Sequence, residues 1–152
     1  RPMKPRLRLL KPPNRLAPLV ERPGGLPRGV AIARAEARLE AQRGAAIEMI
    51  AIFITTLETM VARPVPPLAD ICRVTDRLIA LAMLYDLGGL AEAGKRLCDL
   101  AGAFAVSGEV HPGSLAVHVQ ALRLLALDTP PDGVLAGLDK VLAHFGARRG
   151  DQ

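Results

Sequence analysis

Apolar residues recur along most of this chain at intervals of three and four. In "GAAIEMIAIFITTLETMVA", residues 44–62, Ile47, Ile50, Phe53, Ile54, Leu57, Met60 and Val61 fall on one helical stripe. Met49 and Ile52 lie off it. A helix with two apolar sides is central in a bundle or packs against another chain, so Met49 and Ile52 are the expected homodimer interface. The preceding half is rich in Ala, Glu, Arg and Leu, all good helix formers. The pattern predicts one long helix over about 29–62, with Gly44 as the place where it would kink or divide. "RPVPP", residues 63–67, stops it. Four more helices follow, over about 67–85, 89–106, 112–127 and 131–146. "DLGGL" is expected to turn the chain through its glycines, and "SGEVHPG" and "DTPPDG" supply the other breaks. In the fourth helix Leu115, Val117, Val119, Leu122, Leu124 and Leu125 are expected in the core. No strand-like alternation of any length occurs. The expected fold class is all-α, an antiparallel four-helix bundle with a long first helix, because short connections make neighbouring helices antiparallel.

Composition narrows the picture. The chain has 152 residues, half of them hydrophobic but only 3% aromatic. Ala, Leu and Ile must therefore fill the core, which suits close helix packing. One Tyr and three Phe are too few for a platform on which single-stranded nucleic acid stacks. The net charge of +5 is unevenly spread: residues 1–30 hold eight basic residues and one acid, and the rest of the chain holds twelve basic and fourteen acidic ones. Seven of the thirteen prolines lie in residues 1–28. Those residues are expected to form a disordered, basic, Pro-rich tail, and 29–148 the helical domain. Such a tail can meet nucleic acid or an anionic membrane surface. Residues 44–62 approach membrane-spanning length, but Glu48 and Glu58 interrupt them, each costing about 2.5–3.5 kcal/mol at a bilayer centre. A soluble helix is expected, with no transmembrane segment. "RPMKPRLRLL" lacks a long apolar run after its charges, so no secretory leader and a cytoplasmic location are expected. Cys72 and Cys98 are too few for a disulfide framework and are expected to be buried, reduced thiols.

The second helix carries the one distinctive cluster. On a 100° wheel it buries Ile71, Thr75, Leu78, Ala82 and Tyr85, with Cys72 and Ile79 on the flank. The opposite side carries Ala69, Arg73, Asp76, Ala80 and Met83, with Asp70 and Arg77 adjacent around the cylinder. The plain account of these charges is a solvated helix face.

"TDRLIALAMLYDLGGLAEAGKRLCDL", residues 75–100, resembles the core of a histidine-phosphotransfer domain. In that family an exposed His on the second helix of a four-helix bundle accepts a phosphoryl group from a kinase or response regulator. The family pattern is His, any residue, Leu, Lys, Gly, then five residues and another Gly before a turn. Here Asp76 stands at the His position and Leu78 keeps the Leu. Ile79 replaces the Lys, Ala80 the Gly and Asp86 the later Gly. "RLCDL", residues 96–100, partly matches the small-Leu-Cys run of the following helix, with Arg96 where a small residue is usual. The resemblance spans about residues 65–127. A carboxylate cannot supply phosphoramidate chemistry, so the resemblance implies a docking surface without the reaction, made by Arg73, Asp76, Arg77, Ile79, Ala80 and Met83. The implied partner is a response-regulator receiver domain or a histidine kinase of a bacterial two-component system.

Other chemistry is sparse. His111, His118 and His144 are the three histidines, and His118, between two valines, is expected to be a partly buried structural residue. The sequence contains no HExxH, paired CxxC, phosphate-binding Gly loop or GxSxG. No enzyme activity, cofactor or metal is expected. A nucleic-acid- or membrane-surface-binding protein driven by the tail, or a purely structural oligomerisation module, are the other readings.

Overall fold

A computed structural model describes residues 27–147. Residues 1–26 of the expected tail lie outside the described residues. Five helices follow in order: α1 Arg28–Val61, α2 Leu68–Leu84, α3 Gly88–Ser107, α4 Pro112–Ala126 and α5 Pro131–Ala147. Among the described residues there is no strand. Two units divide the chain, residues 1–40 and 41–152. In the first, the described residues 28–40 are helical and every one is exposed. Gly44 lies inside uninterrupted helix, so the helix is not divided there.

In the second unit α3 is the central helix. It packs against α2, α4 and α5, and α4 also packs against α5. Its sequence explains this role. Ala91, Ala93, Gly94 and Ala101 are buried small residues that let neighbours approach, while Leu97, Leu100 and Phe104 fill the spaces between. Ile50, Ile54, Leu57 and Val61 of α1 join Ile71 and Leu78 of α2, Leu115 and Leu122 of α4 and Leu138 of α5 in one core. Glu58 of α1 accepts two hydrogen bonds from the Arg123 guanidinium of α4, both 2.7 Å. Among the described residues α1 alone is long and apolar enough to cross a membrane by length and composition.

Several expected core positions are exposed instead. Ile47 lies on the α1 stripe but is half exposed, and Val117 and Leu124 of α4 likewise face outward. Periodicity marks apolar positions; it does not supply the neighbouring element that would cover them. Met49 and Ile52, off the stripe, are 43% and 57% exposed.

The turns also differ from expectation. Gly88 and Gly89 are the first residues of α3, and the left-handed residue between α2 and α3 is Asp86, with φ 62°. The Leu87 amide donates to the Ala82 carbonyl at 2.8 Å and the Asp86 amide to Met83, which is a Schellman ending. The same ending recurs after α4, where Asp128 has φ 60° and the Thr129 amide donates to Leu124. Two aspartates thus hold positions that glycine fills most easily.

Candidate docking face on the second helix

The α2 wheel is realised residue by residue. Ile71, Thr75, Leu78, Ala82 and Tyr85 are buried. Ala69, Arg73, Asp76, Arg77, Ala80 and Met83 are exposed, and Cys72 and Ile79 are intermediate. The helix begins where the Pro67 carbonyl accepts from the amides of Asp70 and Ile71, both 3.0 Å. Thr75 is buried without loss because its hydroxyl donates to the Ile71 carbonyl at 2.7 Å.

The exposed face combines charge with an apolar end. Arg73 donates to the Asp70 carboxylate one turn earlier. That pair is well exposed, so it fixes side-chain geometry more than it stabilises the helix. Arg77 lies beside Asp76, and Ala80 leaves a low point before Met83, which is 63% exposed. Leu84 adds a second exposed apolar side chain at the same end. Ile79 differs from the other five expected docking residues. It is half-buried and lies over Gly94 of α3, where an added Cβ would come within 2.7 Å of its Cγ1. That close approach is what brings α2 and α3 together.

Asp76 has a neighbour that the sequence pattern did not indicate. The Cys98 thiol of α3 donates to Asp76 Oδ1 at 3.9 Å and lies 4.0 Å from the Cys72 carbonyl. Burial pushes the Cys98 thiol up to about 12, with Cys72 and Asp76 beside it acting in the same direction. Burial also raises Cys72, and the hydrogen bond with Cys98 offsets part of that. Both cysteines are intermediate in exposure rather than buried as expected. The antiparallel register of α2 and α3, which sequence periodicity cannot give, sets this contact.

No histidine lies on this face. His118 is fully buried in α4, its Nδ1 2.8 Å from the Ser114 carbonyl and its Nε2 without a partner among the described residues. Burial lowers its pKa, and the Ser114 bond opposes that shift. His118 is thus more deeply buried than expected. His111 stacks against Phe104 and Phe145, with ring centroids 5.7 and 4.9 Å apart, and His144 meets Phe145 edge-on at 5.3 Å. Arg96 grips both Asp139 oxygens, at 2.6 and 3.2 Å, and ties α3 to α5. Among the described residues no cluster of three His, Cys, Asp or Glu side chains is arranged to hold a metal ion. The α2 face can accept and donate hydrogen bonds and bury an apolar contact; Asp76 gives it a carboxylate in place of an imidazole. The chain matches no protein-family model, no curated protein and no solved structure.

Proposed function

We propose that the chain is a non-catalytic adaptor resembling a histidine-phosphotransfer domain, which docks a response-regulator receiver domain or a histidine kinase without relaying phosphate. In this reading α1 to α4 supply the four-helix scaffold and α5 buttresses α3. The observation that carries it is Asp76, exposed midway along α2 with Arg73, Ala80 and Met83 on the same face. The left-handed backbone of Asp86 supports it, since that residue stands where the family pattern has a glycine before a turn. The acids of a receiver's phosphorylation site would meet Arg73 and Arg77 at the rim. Met83 would enter the centre, because exposed ion pairs contribute only about 0–1 kcal/mol each.

The test is titration of the full chain with purified receiver and kinase domains, with and without phosphoryl donor. Saturable binding that Met83→Asp or Ala80→Trp weakens at least tenfold is the expected result. Acid-labile phosphate on any histidine of the chain, or binding indifferent to both substitutions, overturns the reading.

The exposure of Met49 and Ile52, about 60° apart on the same side of α1, favours self-association through α1 as a second property of the same molecule. Sedimentation of the chain and of a Met49→Glu, Ile52→Glu double variant tests it: a dimer that the double variant dissociates is expected.

A further inference from the structure

The seam between α2 and α3 holds the two cysteines of the chain. Gly94 marks a close approach, with Ile79 and Thr75 of α2 packed over it. Cys98 lies four residues after Gly94 and Cys72 three residues before Thr75, so the antiparallel register carries both to the same level of the seam. The Cys98 sulfur is 4.0 Å from the Cys72 carbonyl oxygen, so its side chain reaches the backbone of the other cysteine. Each thiol is partly exposed, within reach of a small reagent.

We propose that Cys72 and Cys98 are a disulfide-forming pair, oxidised by a low-molecular-weight disulfide of the glutathione type, so that a covalent bond joins α2 to α3 across their seam. Formation of that bond needs the Cβ atoms to come within about 3.5–4.5 Å, which two facing seam positions of closely packed helices allow. In the first step the Cys72 thiolate attacks one sulfur of the oxidant. A protein–small-molecule mixed disulfide forms and one small thiolate leaves. In the second the Cys98 thiolate attacks the Cys72 sulfur and expels the other small thiolate. Two protein thiols are oxidised, one small disulfide is reduced to two thiols, and the two cysteine protons pass to the departing thiolates. Cys98, whose thiol burial holds most strongly protonated, is the second nucleophile. At that stage its target is already tethered beside it. This proposal is independent of the docking reading and of the identity of any protein partner.

The experiment equilibrates the full reduced chain in mixtures of reduced and oxidised glutathione at pH 8, quenches with acid, unfolds, alkylates with iodoacetamide and weighs the products. The expected result is joint loss of both alkylatable thiols in oxidising mixtures and a mass lower by two hydrogens. Proteolysis should give a linked pair of peptides bearing Cys72 and Cys98. Cys98→Ser should instead accumulate a persistent glutathione adduct on Cys72. The same end point should follow refolding from denaturant in the same mixtures, which removes slow access to the seam as a cause of failure. Two free thiols after refolding in the most oxidising mixture, separate glutathione adducts on each cysteine as the final product, or chains linked to one another would each overturn the proposal.

Discussion

Residues 28–42 of α1 and the α2–α3 hairpin are both helical, yet they are helical for different reasons. In the first stretch every residue is exposed, including Val30, Ile32 and Leu39. Its alanines, arginines and glutamates are good helix formers, and propensity is what the sequence supplies there. In the hairpin, propensity is poorer: β-branched Ile71, Val74, Thr75 and Ile79 line α2, and α3 contains Gly88, Gly89, Gly94 and Gly102. Burial replaces it. Most helical stability in proteins comes from an apolar face packed against neighbours, and the hairpin has such a face while residues 28–42 do not.

The largest test of this contrast is truncation on each side. Leu97 is fully buried at the centre of α3, and Leu97→Ala should cost about 2–5 kcal/mol in chemical denaturation. Leu39→Ala, in the exposed stretch, should change the unfolding free energy by less than about 0.5 kcal/mol. Equal losses at the two leucines would remove the distinction between the regions.

The next effect probes the hairpin's tightness. An added Cβ at Gly94 meets Ile79 Cγ1 at 2.7 Å and Thr75 Cγ2 at 3.4 Å. Since both contacts are with branched side chains held in the seam, Gly94→Ala should destabilise by about 1–3 kcal/mol. A neutral result would mean that α2 and α3 separate more readily than their packing implies. The same substitution at Gly102, where added bulk meets nothing within 4 Å, is the control and should stabilise slightly.

A third prediction concerns α4, the other wall of the core. His118 is buried with no partner at Nε2 among the described residues, and burial lowers its pKa in the folded state. Above the ordinary imidazole pKa, both folded and unfolded chains carry it neutral and nothing is lost. As pH falls through about 6.5 the unfolded chain takes up a proton that the folded chain refuses, so stability falls with acid. Denaturation curves between pH 7.5 and 5 should show this decline, and His118→Leu should flatten it. An unchanged slope in the variant would assign the decline to other groups.

Asp86 offers a smaller gain. With φ at 62°, it holds a conformation that costs an L-residue free energy and glycine none. Asp86→Gly should stabilise by about 0.5–1 kcal/mol, measured as a raised Tm, the unfolded-state entropy of glycine offsetting part of the relief.

Much of this organisation is legible in the sequence because helical periodicity is a local property. It marks all five helices to within a residue or two, and it sorts the α2 face correctly, with Asp76 outward and Leu78 inward. The exceptions are set by what lies across the gap. Ile47, Val117 and Leu124 carry the apolar signal but are about half exposed, with no covering neighbour among the described residues. The positive φ falls on Asp86 rather than on Gly88 or Gly89, because the turn is set by where the α2 carbonyls of Ala82 and Met83 are capped. The contact of Cys98 with Asp76 and Cys72 depends on helix register, and residues 22 and 26 positions apart carry no local mark of it.

The smallest predicted effect bears on why α1 changes character along its length. Its C-terminal part is tied to the core by Ile50, Ile54, Leu57 and Val61, and Glu58 receives both 2.7 Å bonds from Arg123. The pair has ideal bidentate form, but the Arg123 side chain is 49% exposed, so water and salt screen it. A double-mutant cycle with Glu58→Gln and Arg123→Met should give a coupling of about 0.2–1 kcal/mol that shrinks as salt is raised. A coupling well above that range, insensitive to salt, would mean that the ion pair rather than the apolar stripe holds this end of α1, and that charge and not burial sets it apart from residues 28–42.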